Sequence, residues 1–128
     1  MGGLTRPPRR PVEFLGDSLK VVTSWPLQVK KSAGDDLAIV QYGGYPAGCE
    51  ALPDIGAHVH AIRVRHDKEQ YRVIWIAQLC ETIFVLHAFH KKSKRGKETP
   101  KSDKDLAKDR LKALRQRLLQ APASSRRH

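Results

Sequence analysis

Three segments in the second half of the chain have the hydrophobic pattern of β-strands. In "VHAIRVRH", Ala61, Arg63 and Arg65 fall on one face and the intervening residues on the other. "YRVIWIAQL" and "TIFVLHAFHKK" are rich in Val, Ile and aromatic residues and are apolar on both faces. The connections "DKEQ" and "CE" are short enough for hairpin turns. These segments predict an antiparallel meander that is at least partly covered on both faces.

The first half of the chain predicts one short strand and two helices. "PVEFL" alternates weakly, and Asp17 or Ser18 after it is a typical first residue of a helix. Pro26 lacks a backbone N–H and interrupts this helix. A second helix is predicted from about Pro26 to Tyr42, where the following glycine pair ends it.

A final helix is predicted in "KSDKDLAKDRLKALRQRLLQ". Its apolar stripe is narrow, and the remaining surface is strongly basic. The order β-α-α-β-β-β-α therefore predicts an α+β fold, in which a small antiparallel sheet is backed by two N-terminal helices and a C-terminal basic helix.

Both ends of the chain have the composition of disordered basic tails. We expect these tails at residues 1–10 and 121–128, around one domain at 11–120. No apolar run approaches the roughly 20 residues that span a bilayer, and the first residues lack the pattern of a secretory signal. We therefore expect a cytoplasmic protein.

The positive charge is concentrated near the C-terminal end. The net charge is +11, and residues 91–128 contain 14 of the 24 Lys and Arg residues but 4 of the 13 Asp and Glu residues. Such asymmetry favours a polyanionic partner, because each neutralised phosphate releases condensed counterions. The alternative is a solvated basic tail.

The histidines do not predict a metal site. His58 and His60 share one face of a strand, but His87 and His90 are three positions apart and point to opposite faces. The sequence also lacks a Gly-x-Ser-x-Gly elbow and a glycine-rich phosphate loop. We therefore expect no metal, no cofactor and no protein nucleophile.

Cations on adjacent strands form the candidate site. Arg63 lies on the first strand of the meander, Arg72 begins the second, and Lys91 and Lys92 end the third. Neighbouring strands are about 5 Å apart, so the two arginines and one lysine are expected to converge on a phosphate group. Parity along the third strand favours Lys92, which shares a side with His90. Fixed cations there would stabilise the extra negative charge of a pentacoordinate phosphorane.

These segments resemble a known family. "AIRVRHDKEQYRVIWIA", "FVLHAFHKKSKRGKETP" and "DLAKDRLKAL" are similar to the phage-derived HigB-like branch of the RelE/ParE toxin superfamily. The resemblance covers about residues 11–118 and implies a RelE-like fold. It also implies the toxin of a type II toxin-antitoxin system, a metal-independent endoribonuclease that is silenced by a HigA-like helix-turn-helix antitoxin. Such toxins often cut mRNA on the ribosome, through attack of the substrate's own 2′-hydroxyl on the adjacent phosphate.

The resemblance and the charge pattern together assign site residues. The expected catalytic residues are Arg63, Arg72, His87, Lys91 and Lys92. The expected RNA-binding residues are Arg65, His90, Lys94, Arg95 and Lys97. Two departures from the family pattern stand out: Ala61 occupies the place of the family's Glu, and "SKRGKETP" is longer and more basic than the corresponding connection.

Two alternatives remain open at this point. His87, on a central strand, is equally compatible with a packed, hydrogen-bonded core histidine. A protein of the same fold can also act without cleavage, as a ParE-like gyrase inhibitor or an inactive nucleic-acid binder. If Arg72 is catalytic, replacing it by Ala is expected to relieve toxicity and leave the fold intact.

Overall fold

The computed structural model describes residues 9–79, 81–92 and 99–120. Most of the two predicted tails, together with Lys94, Arg95 and Lys97, lies outside these ranges. In chain order the elements are β1 (Val12–Phe14), α1 (Ser18–Thr23), α2 (Leu27–Gln41), β2 (Glu50–Ala51), β3 (Val59–His66), β4 (Glu69–Leu79), β5 (Thr82–Lys92) and α3 (Lys101–Gln120).

The strands form a five-stranded mixed sheet in the order β1-β5-β4-β3-β2. The β3-β4-β5 meander is antiparallel, which confirms the prediction, and the α+β class is confirmed as well. The expectation of an entirely antiparallel sheet is wrong, because β1 pairs with β5 in parallel. The sequence also gave no sign of β2. A strand of two or three residues is too short for a periodic pattern to reveal its existence or its direction.

One sheet face packs against α1 and α2. The buried residues of α2 recur every three or four positions and form one helix face. Together with Trp25 they cover the apolar residues of β3, β4 and β5 on that side. Trp25 packs edge-to-face on Tyr71, with 5.1 Å between the ring centroids.

The other sheet face packs against α3. Ala107, Leu111 and Leu114 are buried against Ile74 and Phe84, among other apolar residues of the sheet. Both faces are thus covered, which explains why β4 and β5 are apolar on both sides. No helix in the described ranges is both long and apolar enough to cross a membrane.

Two local features fix the ends of these elements. Asp67 and Lys68 form the β3-β4 turn with φ of 50° and 65°, the left-handed geometry of a two-residue hairpin. Arg10, at the end of the predicted tail, donates from its guanidinium to the carbonyl oxygens of Ala77 at 3.1 Å and Val40 at 2.8 Å. These bonds attach the chain before β1 to the sheet and to α2.

Candidate functional site

Arg63 and Arg72 are directly opposite each other on β3 and β4. They lie on the sheet face that α3 covers, in line with the buried Ala61 and Ile74. The sequence prediction that these two cations lie together is confirmed. Like charges in directly opposed positions destabilise a sheet, so the pair calls for a nearby anion.

Glu50 supplies that anion. It pairs with Ala61 in the β2-β3 register. Its Oε1 lies 3.5 Å from Arg72 Nη1 and 4.0 Å from Arg63 Nη1. Arg63 is also fixed by its Nε, which donates to the carbonyl oxygen of Gly48 at 2.9 Å. Sequence reasoning missed Glu50 because nothing around it indicates a strand.

The two arginines differ in burial. Arg72 is 0% exposed, and its Nη2 donates to Gln70 Oε1 at 2.5 Å. Its Nε and Nη1 have no hydrogen-bond partner among the described residues. Burial lowers the pKa of Arg72, Glu50 opposes this shift, and Arg63 adds to it. The side chain of Arg63 is 32% exposed and therefore reaches solvent.

The burial of Arg72 affects two expectations about this residue. A ligand cannot touch a fully buried guanidinium unless a neighbouring group moves. Arg72→Ala would also leave a cavity in the interior, so we expect this variant to stay folded but to lose stability. In this conformation Arg63 is the arginine of the pair that a phosphate can reach directly.

A cavity of about 290 Å³ lies beside the exposed arginine. Its lining includes Arg63, Arg65, Gln70 and the backbone segment at Gly48. Arg65 is exposed and lies two positions from Arg63, on the same strand face. The cavity is therefore lined by one partly exposed cation, Arg63, and one exposed cation, Arg65.

The register of β5 decides which strand-end lysine joins the arginines. Lys91 pairs with Gln70, and Lys92 pairs with Glu69. Gln70 shares a face with Arg72, because the two residues are two positions apart on β4. Lys91 therefore lies on the arginine face, and the assignment of Lys92 to that face is wrong. Parity along β5 alone does not specify the register of β5 against β4.

The two histidines of β5 lie on opposite faces, as predicted. The His90 ring stacks on Tyr71, with centroids 4.5 Å apart and an interplanar angle of 8°. Its Nε2 contacts the Glu69 carboxylate. His90 is thus on the face away from the arginine pair, and the structure does not bring it to the predicted RNA site.

His87 belongs to a network that ties α3 to the sheet. It is 6% exposed, and its Nε2 donates to Asp103 Oδ1 at 2.7 Å. Arg110 Nη1 lies 3.4 Å from His87 Nδ1, and Arg110 Nη2 donates to Asp17 Oδ1 at 2.9 Å. This bond to Arg110 holds the pKa of Asp17 below its usual value. The contacts favour the core-histidine interpretation of His87 over a role as a proton donor to substrate.

A comparison with known protein families identifies the family of this chain. A family model described as phage-derived protein Gp49-like (DUF891) matches residues 20–112. The chain belongs to this Gp49-like family. The comparison with curated proteins and the comparison with solved structures each gave no match.

The family match covers the arginine site of this Gp49-like protein. It extends from α1 into α3 and includes Glu50, Arg63, Arg72 and Lys91. The phage-derived description agrees with the family resemblance of the sequence. Within the described ranges, no group of three or more His, Cys, Asp or Glu side chains is placed to hold a metal ion.

Proposed function

We propose that this Gp49-like protein is the toxin of a type II toxin-antitoxin system and acts as a metal-independent mRNA endoribonuclease of the HigB type. The observation that carries this proposal is the opposed pair Arg63 and Arg72, with Arg63 partly exposed at a cavity of about 290 Å³. Guanidinium groups match the oxygens of a phosphodiester and favour its more highly charged transition state. The α+β element order supports a RelE-like relationship.

The proposed reaction uses the RNA's own 2′-hydroxyl, fixed cations, and water to take up and return a proton. The 2′-hydroxyl loses its proton to water as its oxygen attacks the adjacent phosphorus, the bond from phosphorus to the 5′-oxygen breaks, and water protonates that oxygen. The products carry a 2′,3′-cyclic phosphate and a 5′-hydroxyl. Arg63 contacts the phosphate, Arg72 supports the site from the interior, and Lys91 lies on the same sheet face. The 2′-hydroxyl serves as the nucleophile, so no protein nucleophile is required.

The proposed partners follow from charge and from the toxin role. The excess of positive charge at residues 91–128 would steer the protein to mRNA and to the ribosome, both polyanions. A helix-turn-helix antitoxin of the HigA type would silence the toxin. Co-purification with such a protein, encoded beside this one, tests that part of the proposal.

The decisive experiment adds purified protein to mRNA in a translation extract and maps the fragment ends. Fragments with cyclic-phosphate or 3′-phosphate ends are expected. Arg63→Ala should slow cleavage by about 100-fold, the usual cost of removing one transition-state donor. Lys31→Ala, which removes one positive charge at an exposed position of α2, is the control and should keep the wild-type rate.

The burial of Arg72 favours a second candidate function, a binding protein of the same fold. A guanidinium that is 0% exposed and faces Glu50 suits a structural role better than direct contact with substrate. A ParE-like gyrase inhibitor is the form of this candidate that can be tested. Intact mRNA together with blocked supercoiling by gyrase would reject the nuclease and support the inhibitor.

A further inference from the structure

Glu50 occupies the place between the arginines where a ligand anion would be expected. Its carboxylate lies within 4.0 Å of both Arg63 and Arg72. It comes from β2, at the position directly across from Ala61 on β3. A short neighbouring strand thus brings one negative charge to a pair of positive charges.

The contacts of Glu50 are too long to satisfy the groups involved. Oε1 lies 3.5 Å from Arg72 Nη1, beyond the usual length of a charge-assisted hydrogen bond. This oxygen is buried and has no hydrogen-bond partner among the described residues, and the same is true of Arg72 Nε and Nη1. Buried polar groups without hydrogen bonds are unfavourable, so the pair balances charge and leaves donors for another acceptor.

A phosphodiester matches what Glu50 leaves unsatisfied. It carries the same single negative charge as the carboxylate, and its two non-bridging oxygens can accept bonds from both guanidinium groups. The side chain of Glu50 is 32% exposed and therefore has a path to water, whereas Arg72 has none. Movement of Glu50 would replace one anion by another at constant charge.

We propose that Glu50 is the resident anion of this site: it holds Arg63 and Arg72 in the free protein and gives way when a phosphodiester binds. The identity of the ligand as an RNA phosphate rests on the proposed function. Glu50 thereby sets the affinity for substrate, because each binding event must displace it. The inference also explains how a buried arginine comes to serve a phosphate site.

The test compares binding of a short 2′-O-methyl RNA, which cannot be cleaved through its 2′-oxygen, to the wild type and to Glu50→Gln. The amide keeps the shape of the side chain and removes its charge, so the Kd should fall at least tenfold. Glu13→Gln is the matched control, because it removes the same charge at a different place in the fold. Glu13 pairs there with Arg117, at 2.8 and 3.1 Å. The control should change the Kd by less than about twofold.

Two further measurements keep the proposal open to refutation. Thermal unfolding shows whether Glu50→Gln is folded. Should it not fold, Glu50→Asp withdraws the carboxylate by one methylene and must bind RNA more tightly than the wild type. Unchanged RNA affinity in every Glu50 variant that folds would overturn the proposal. A gain in affinity in Glu13→Gln equal to that in the Glu50 variant would also overturn it.

Cleavage kinetics separate this role from proton transfer. If Glu50→Gln lowers kcat and leaves both KM and RNA affinity unchanged, Glu50 is a proton acceptor and not a displaced anion. If the wild type cuts no RNA but Glu50→Gln gains affinity, the nuclease proposal fails and the resident anion stands. The two proposals can therefore fail separately.

Discussion

Replacement of Arg72 by Ala gives a direct test of the burial of this arginine. Arg72 is among the largest fully buried side chains, so its truncation should cost about 2–5 kcal/mol, as other large-to-Ala changes in cores do. Gln70 Oε1 would lose its guanidinium donor, at a further cost of about 1–3 kcal/mol. Removal of the buried guanidinium also removes the cost of keeping its charge away from water, which offsets several kcal/mol of this loss. We expect a net loss of about 2–4 kcal/mol in the free energy of unfolding.

Urea unfolding at pH 7, followed by circular dichroism, measures this change. Small domains have unfolding free energies of about 5–15 kcal/mol, so the variant should remain folded with a clearly lower midpoint. Arg65→Ala, at an exposed position on the same strand face, is the control and should stay within about 0.5 kcal/mol of the wild type. A result within this limit for Arg72→Ala would refute the reasoning from burial.

The prediction affects how toxicity experiments are read. Loss of toxicity in Arg72→Ala would follow from lower stability as readily as from lost catalysis. Arg63 is partly exposed and bonds to a loop carbonyl, so its replacement separates function from folding better. Assignments of a role to Arg72 therefore need the unfolding measurement beside the growth assay.

Two further predictions concern the turn at the end of β3 and the start of α1. Lys68→Gly should raise the free energy of unfolding by about 1 kcal/mol, because Lys68 has a φ of 65° that glycine adopts without strain. The control, Lys31→Gly in α2, should lower the free energy of unfolding by about 1 kcal/mol. A loss of stability in both variants would contradict the turn geometry. Asp17→Asn should lower stability at pH 7, because the bond to Arg110 depresses the pKa of Asp17 and so stabilises the folded state. The stabilisation by the ionised carboxylate is present above about pH 3.8 and is lost as the pH falls through the folded-state pKa. Urea titrations at pH 7 and about pH 2.5 should show the difference shrinking, whereas an equal difference at both values would argue against the ion pair.

Most of the fold could be predicted from the sequence, because local patterns determine the elements and their buried faces. The alternation in β3, the apolar runs of β4 and β5 and the short connection "DKEQ" predict the meander and its direction. The apolar stripe of α3 predicts its buried face, which contains Ala107, Leu111 and Leu114. Each of these signals lies within one segment and does not depend on distant parts of the chain.

Glu50 had no comparable signal. It lies in a two-residue strand within a long connection, and its position across from Ala61 depends on the tertiary pairing of β2 with β3. The family resemblance showed that a carboxylate was missing at Ala61 but not that another strand supplies one. Only the register of β2 against β3 shows that Glu50 lies across from Ala61, where the family has its Glu.

The lysine assignment shows where parity along one strand stops being informative. Parity states that Lys91 and Lys92 point to opposite faces, but only the register between strands states which face holds the arginines. The β4-β5 pairing begins with Leu79 opposite Thr82 and reaches Lys91 opposite Gln70. The β4-β5 pairing contains two register shifts, and the outer pairs agree only because these shifts cancel. A single uncompensated bulge would have exchanged the two lysines, so the sequence of β5 by itself could not decide between them.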